Sequence, residues 1–274
     1  MTVFLIIVSI IIILLWFMLR PSRGNAAVRA AFYGRNIAHR GLHTRNKAVP
    51  ENSLAAFAAA ADAGYGIELD IQLSRDGEVV VFHDDTLARV CGVNGRVDAF
   101  TLAELRAMCL CGTDQHIPLF SEVLQLVDGR VPLIVELKMG PHNKELCEKG
   151  LALLRAYKGT YCIESFHPMI VAWFRKNAPD IYRGQLSDAP SAFKNENQPW
   201  LTRFALGTLL TNVVARPQFI AYGPHKAPFT VALVHTMGAA PICWTVRDTD
   251  DIATKQDEND TVIFEYYTPE IKYK

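Results

Sequence analysis

The chain has 274 residues, of which 50% are hydrophobic, and it carries 28 acidic and 28 basic side chains. This length suits one large domain or two small ones. A formal net charge of zero argues against nucleic acid as a partner, since nucleic-acid-binding domains usually carry a basic surplus. The six cysteines contain no CxxC pair, which argues against a cysteine metal cluster or a disulfide framework and fits a reducing compartment.

The N-terminal segment predicts a membrane anchor. From Val3 to Leu19 the chain is apolar except for Ser9, and about 17 residues form a helix of roughly 25 Å, at the short end for crossing a bilayer. A cleaved signal peptide, the alternative, needs a basic start, but the basic residues follow the segment (Arg20, Arg23, Arg29, Arg35). We therefore predict a single-pass anchor over 1–20 in a bacterial inner membrane, a juxtamembrane linker over 21–35, and a cytoplasmic C-terminal domain.

A predicted β-hairpin between 67 and 84 carries the first candidate site. Asp76-Gly77 is a strong turn signal between two apolar runs. Residues two apart on a strand share a face, so Glu68 and Asp70 project together, and the return arm brings His83 roughly opposite Asp70. Carboxylates suit a hard divalent cation, and histidine can transfer protons near neutral pH. By itself, the pattern also fits an ordinary half-buried hairpin with solvated charges.

Strands and helices alternate along the rest of the chain. Counting the hairpin as one unit, the main predicted strands number eight: the hairpin strand and the segments 36–41, 132–138, 161–166, 181–186, 219–222, 242–246 and 262–266. Eight βα units close a (β/α)8 TIM barrel with its site at the carboxyl ends of the strands. An open doubly wound sheet is the alternative, but it lacks a glycine-rich phosphate turn. The segment 86–117 interrupts the repeat as a small insertion after the second strand.

Two further clusters fall at predicted strand ends. In His39-Arg40-Gly41 an imidazole stands beside a guanidinium, which suits proton transfer next to a bound phosphate. Glu136 and Lys138 share a face of the third strand, where a metal would satisfy the carboxylate and a phosphate the ammonium. A solvated turn and an internal ion pair are the respective structural alternatives.

These short motifs together resemble the glycerophosphodiester phosphodiesterase family over 36–269. They occur in order as His39-Arg40-Gly41, Pro50-Glu51-Asn52-Ser53, Glu68-Leu69-Asp70, His83-Asp84, Glu136-Leu137-Lys138, Ser165-Phe166 and Trp244-Thr245-Val246. The resemblance implies a TIM-barrel domain over 36–274, one Mg²⁺ or Ca²⁺ ion, and hydrolysis of glycerophosphodiesters to sn-glycerol 3-phosphate and an alcohol.

Site residues follow from the resemblance by position. Glu68, Asp70 and Glu136 match the metal ligands of the family. His39 and His83 match its acid/base pair. Arg40 and Lys138 match its phosphate clamp. The motif residues for metal binding and proton transfer are all present, so the resemblance predicts an active enzyme with a small-molecule substrate.

The last strand departs from the family, which usually carries an aspartate there. Here the corresponding residue is Glu265, and the sequence does not decide whether its longer side chain makes the same contact. The substrate class also has an alternative, a lysophospholipase D acting on single-chain lipids at the membrane. Apolar side chains at the barrel mouth would favour it, with candidates at Phe166, Met169, Trp200 and Phe204. A third alternative, a non-catalytic lipid-binding module, would require a broken carboxylate triad.

Overall fold

Eight parallel strands close a barrel in the computed structural model, which describes residues 1–193 and 199–274. The sheet order is β1-β9-β8-β7-β6-β5-β4-β2, and β1 pairs with β2 to complete the circle, which confirms the predicted TIM barrel. The strands are β1 Arg35–Ala38, β2 Gly66–Leu73, β3 Val79–Val81, β4 Leu133–Leu137, β5 Tyr161–Ser165, β6 Arg183–Ser187, β7 Phe219–Tyr222, β8 Ala240–Val246 and β9 Thr261–Phe264.

Helices precede the barrel and alternate with its strands. They are α1 Thr2–Leu19, α2 Ala26–Phe32, α3 Leu54–Asp62, α4 Ala88–Cys91, α5 Leu102–Arg106, α6 Phe120–Val127, α7 Asn143–Ala156, α8 Pro168–Asn177, α9 Trp200–Gly207, α10 Asn212–Ala215, α11 Phe229–Thr236 and α12 Ile252–Glu258. Ser53 caps α3, because its hydroxyl accepts a hydrogen bond from the Ala56 backbone N–H. The main helices follow strands, as right-handed βα crossovers require.

The predicted hairpin is β2 followed by the short antiparallel strand β3. Its register pairs Ile71 with Val81, and Gly77 in the turn adopts φ +79°, a left-handed conformation that favours glycine. The segment after β3 forms α4, a 3-10 turn and α5 around a small apolar cluster of its own, which includes Phe82, Leu105 and other buried side chains. This segment therefore packs beside the barrel without interrupting the parallel order.

The barrel interior is filled by apolar side chains at its N-terminal end. Ile37, Ile134 and Phe219 contribute to this core. A Cβ at Gly184 would lie 1.9 Å from the Phe219 ring, so the neighbouring strand must carry a glycine there. A second core lies between the strands and the outer helices, with Phe57, Phe120 and Phe174 fully buried. The polar side chains of the barrel interior therefore lie at the opposite, carboxyl end of the strands.

The N-terminal region consists of two helices. Helix α1 has a mean hydropathy of 3.1 and is 6% buried, so it is long and apolar enough to cross a membrane, a test that a signal sequence would also pass. Helix α2 lies inside the segment predicted as a linker. It begins after the Asn25 cap, and its Phe32 joins the barrel core. The domain boundaries given above stay predictions.

Candidate active site

Three carboxylates converge at the carboxyl ends of two adjacent strands. Glu68 and Asp70 lie on one face of β2, and the parallel register places Asp70 beside Glu136 on β4. One oxygen from each carboxylate lies within 4.8 Å of the others, and all three side chains are buried. The structure thus brings together the three residues that the sequence proposed as metal ligands.

The three carboxylates are buried close to one another and to positively charged side chains. Burial raises the pKa of Glu68 well above its usual range, and repulsion from Asp70 and Glu136 raises it further. Asp70 Oδ1 is buried without a hydrogen-bond partner in the described part of the chain. Buried carboxylates are costly unless positive charge lies close to them, and carboxylate oxygens are the preferred ligands of a hard divalent cation, so these residues fit such an ion. The cluster could therefore hold such an ion.

Two cationic side chains border the carboxylates. Lys138 Nζ lies 2.8 Å from Glu136 Oε1 and 3.5 Å from Asp70 Oδ1. Burial lowers the pKa of Lys138, but these two carboxylates outweigh burial and hold the pKa above its usual value. Arg40 Nε lies 3.5 Å from Asp70 Oδ2, and Arg40 Nη1 donates to Glu51 Oε1 at 2.7 Å. Both cations therefore reach the rim of the carboxylate cluster.

Backbone geometry after β1 directs Arg40 into the site. Arg40 adopts φ +54°, unusual for a residue with a side chain, and its N–H donates to Glu68 Oε2 at 3.0 Å. Gly41 follows with φ +81°, and a Cβ there would lie 2.8 Å from the carbonyl carbon of Ala56. The glycine in His39-Arg40-Gly41 thus allows the tight passage that turns both preceding side chains inward.

Two imidazoles line the same cavity as the carboxylates. His39 Nε2 lies 3.9 Å from Glu68 Oε2. Burial lowers the pKa of His39 to about 4, helped by the positive charge of Arg40, so the ring is neutral at pH 7. His83 Nδ1 lies 2.6 Å from Asp84 Oδ1. The two rings therefore stand in one pocket with different partners.

The position of His83 differs slightly from the expectation of a direct pairing with Asp70. The Phe82 backbone N–H donates to the Asp70 carbonyl at 3.0 Å, so Phe82 is the cross-strand neighbour and His83 lies one residue beyond it. The physical reason is the register of the hairpin, which pairs Ile71 with Val81. His83 nevertheless reaches the cavity because β3 ends at Val81 and the last cross-strand hydrogen bond is that of Phe82.

Comparison with known families agrees with this geometry. Residues 39–264 match the model of the glycerophosphoryl diester phosphodiesterase family. The chain belongs to this family. The match covers all seven residues of the site described above.

Relatives of this family member come from bacteria and animals. A glycerophosphodiester phosphodiesterase of Caldanaerobacter subterraneus is 35% identical over 162 residues, covering 55% of this chain and 65% of that protein. A human lysophospholipase D is 32% identical over 232 residues, covering 79% of this chain and 69% of that protein. The chain spans less than two thirds of the bacterial relative's length.

A solved structure shares the fold of the family member. The glycerophosphodiester phosphodiesterase of Thermotoga maritima superposes with a TM-score of 0.63 at 25% identity, over 84% of this chain and 93% of that one. The closed barrel is thus common to both proteins.

Sequence reasoning missed two polar residues of this glycerophosphoryl diester phosphodiesterase family site. Glu164 on β5 is aligned with Glu136, is 1% exposed, and has one oxygen without a partner in the described structure. Burial raises its pKa well above the usual range, with further contributions from Glu136 and Asp70. Asn52 Nδ2 donates to Asp70 Oδ2 at 2.8 Å. The signal for Glu164 was available, since it shares the inner face of its strand with Cys162 and Phe166.

Glu265 is placed by the structure in contact with the first histidine. Its Oε2 lies 3.1 Å from His39 Nδ1 and 3.5 Å from His43 Nε2, while Arg247 Nε donates to Oε1 at 2.6 Å. Burial raises the pKa of Glu265, but the hydrogen bond from His39, the nearby His43 ring and the charge of Arg247 outweigh burial and hold the pKa well below its usual range. The longer side chain therefore does reach the site, as an ionised acceptor.

Proposed function

We propose that this chain hydrolyses glycerophosphodiesters to sn-glycerol 3-phosphate and an alcohol. The family membership supports the substrate class. The observation that carries the proposal is that two imidazoles, two cationic side chains and a carboxylate cluster line or border one pocket at the carboxyl end of the barrel. Phosphodiester cleavage needs these parts: charge neutralisation on the phosphate, a base for the nucleophile and an acid for the leaving group.

Arg40 and Lys138 are proposed to bind the phosphate oxygens. In the structure both side chains are held by carboxylates on one side, through Glu51 for Arg40 and Glu136 for Lys138. Their remaining donors are available for phosphate, and Arg can bind it with two parallel hydrogen bonds. A divalent cation, Mg²⁺ or Ca²⁺, held by Glu68, Asp70 and Glu136 would add positive charge beside the same oxygens.

His39 is proposed as the base. The Glu265 carboxylate only accepts hydrogen bonds when ionised, so the hydrogen of the neutral His39 ring lies on Nδ1 and the lone pair on Nε2. Nε2 is the nitrogen that faces Glu68 and the carboxylate cluster. His39 Nε2 would therefore accept the proton of the attacking hydroxyl as the new P–O bond forms.

His83 is proposed as the acid. Asp84 holds its Nδ1, which leaves Nε2 to deliver a proton to the alkoxide as the old P–O bond breaks. The attacking hydroxyl is either the glycerol hydroxyl next to the phosphate, giving a cyclic phosphate that water then opens, or water itself. When water attacks directly, one proton passes to His39 and one leaves His83. In the cyclic route the first step makes the same two transfers and consumes no water. In its second step His83 accepts a proton from the attacking water and His39 returns its proton to the glycerol oxygen, so one water is consumed overall.

A substrate panel tests the proposal. The full-length chain in detergent would be assayed on glycerophosphocholine, glycerophosphoethanolamine and glycerophosphoglycerol, with and without EDTA, and released glycerol 3-phosphate would be measured. We expect turnover that EDTA abolishes and that either Mg²⁺ or Ca²⁺ restores. Glu136→Gln is the variant for the metal site, and Glu148→Gln, at an exposed α7 residue, is the charge-matched control. Turnover unaffected by EDTA would contradict the role of the carboxylates.

A lysophospholipase D activity is the second candidate. The human relative carries that name, and Met169, Trp200 and Phe204 are 57%, 65% and 46% exposed. Met169 lies on the first turn of α8, directly after β5 and therefore at the active-site end. Lysophosphatidylcholine added to the panel separates the two candidates: preference for it over glycerophosphocholine, lost in Trp200→Ala and Phe204→Ala, would favour the lipid substrate.

A membrane anchor is proposed for α1. The helix carries no charged residue between Thr2 and Leu19, and Arg20, Arg23, Arg29 and Arg35 follow it, so the positive-inside rule places the barrel in the cytoplasm. Membrane fractions washed with alkaline carbonate should retain the chain. Its intact mass should be that of the full chain or of the chain that lacks only Met1. A mature chain that begins after Leu19 would identify the segment as a cleaved signal.

A further inference from the structure

A second cavity lies at the opposite end of the barrel from the carboxylates. It has a volume of about 780 Å³ and lies where the chain leaves α1, beside the segment that precedes β7 and the end of α8. Its basic lining residues are all arginines, and no acidic residue lines it in the described structure (Arg20, Arg23, Arg175, Arg216). We call it the arginine cavity.

The end of α1 is firmly attached to the barrel beside this cavity. Leu19 is fully buried in an apolar cluster with residues of α11 and β7. Asn212 Nδ2 donates to the Leu19 carbonyl at 3.2 Å. Arg216 Nη1 donates to the carbonyls of Phe17 and Arg20 at 2.6 and 3.0 Å. The arginine cavity is therefore formed by anchor and barrel together, and its position relative to α1 is defined.

Positive charge in the arginine cavity lacks compensation. In the part of the chain that the structure describes, these arginines form no ion pair, whereas Arg29, Arg155 and Arg247 each pair with a carboxylate. Burial lowers the pKa of Arg216, and repulsion from Arg20 and Arg175 lowers it further. Like charges gathered without counter-charges favour an anionic ligand.

Neighbouring aromatic residues indicate the depth of the cavity relative to a bilayer. The Arg20 guanidinium lies 5.0 Å from the Trp16 ring centroid and 5.3 Å from that of Phe17. Tryptophan prefers the membrane interface, and arginine at the end of a spanning helix lies at the level of the head groups. If α1 spans the bilayer, the arginine cavity opens at this level.

We propose that the arginine cavity binds the phosphate of an anionic phospholipid in the leaflet from which α1 emerges. The proposal rests on the anchor proposed above, but not on the catalytic activity. Free phosphate shares the chemistry of the head group, but Trp16, Phe17 and Met237 give the cavity an apolar border that suits acyl chains. Bound lipid would hold the N-terminal face of the barrel against the membrane, with the carboxylate end directed away from it.

Lipid retention by the full-length chain tests the proposal. The protein would be purified in detergent, titrated with phosphatidylglycerol or phosphatidylcholine, and examined by native mass spectrometry. The variants are Arg23→Gln and Arg175→Gln, and Lys176→Gln is the matched control, because it removes the same charge from the next, exposed position of α8. Arg216 is left unchanged because it holds the end of α1. Inorganic phosphate, detected by its effect on Tm, is the soluble probe.

We expect preferential retention of phosphatidylglycerol, weakened about fivefold by each arginine substitution, since one basic side chain contributes about 1 kcal/mol near an anionic surface. Lys176→Gln should retain the lipid as the unmodified chain does. Equal retention of the two lipids, equal loss in Lys176→Gln, or binding of inorganic phosphate without lipid preference would each overturn the proposal. Flotation with phosphatidylcholine vesicles separately reports whether α1 anchors the chain at all.

Discussion

Glu265→Gln is the substitution that most directly examines how His39 is prepared for proton transfer. The side chain is 7% exposed, and its carboxylate lies 3.1 Å from His39 Nδ1. When His39 accepts a proton in the transition state, the resulting imidazolium is stabilised by this carboxylate. Glutamine keeps the size of the side chain but removes the charge, so the substitution isolates the electrostatic contribution.

The size of the effect follows from the distance. Two unit charges 3.1 Å apart interact by about 5 kcal/mol at an effective dielectric constant of about 20. With the proton roughly half transferred, the loss in the transition state is about 2–3 kcal/mol, which corresponds to a decrease in kcat of roughly 30- to 150-fold. KM should stay within about twofold, because Glu265 contacts histidines and Arg247 and not the proposed phosphate clamp.

Steady-state kinetics on the best substrate of the panel provide the measurement, with circular dichroism and Tm to establish that the variant is folded. Arg247→Gln is the control, since Arg247 binds the other oxygen of the same carboxylate and is 48% exposed. It should change kcat by less than about threefold. A folded Glu265→Gln protein with the kcat of the unmodified chain would refute the assignment of His39 as a base oriented by Glu265.

Three further predictions concern the acid, the metal cluster and the thiols. His83→Ala should lower kcat at least ~10²-fold without changing Tm, and unchanged turnover would remove His83 from the mechanism. Asn52→Gly suits the left-handed backbone at that position (φ +54°) but removes the hydrogen bond to Asp70; divalent-cation affinity measured by calorimetry should fall about 10- to 100-fold, and equal affinity would argue against this role of the amide. In the native protein a thiol reagent should label the exposed Cys109 and leave Cys243 unmodified, because burial raises the pKa of Cys243 to about 12; equal labelling of the two cysteines, measured by peptide mass spectrometry, would contradict the burial of Cys243.

Local pattern alone predicted much of the architecture. Apolar runs at βα spacing predicted eight strands, and the structure has eight parallel strands in a closed barrel. Asp76-Gly77 predicted the hairpin, and strand periodicity placed Glu68 and Asp70 on one face. These features depend on neighbouring residues, whose preferences for turns and for alternating burial are set by local sterics and solvation.

The family motifs predicted the residues of the candidate site as well. The seven residues proposed from the resemblance line or border one pocket, although their individual roles stay proposals. Glu164 and Asn52 were missed because the motifs assign neither of them a role. Strand periodicity could have placed Glu164 on the inner face, but its position beside Glu136 and the contact of Asn52 with Asp70 come from the packing of segments distant in sequence. The sequence identified Glu265 at a position where the family usually carries an aspartate. The length of the glutamate side chain did not predict that it would contact His39.

Only the tertiary structure decided the register that places Asp70 beside Glu136. The same holds for the packing of α2 against the barrel core and for the clustering of arginines near the C-terminal end of α1. Each of these depends on how segments far apart in the chain pack once the barrel closes. Local preferences specify which face of a strand is polar, but the free energy that selects one register among several comes from burying the whole core at once.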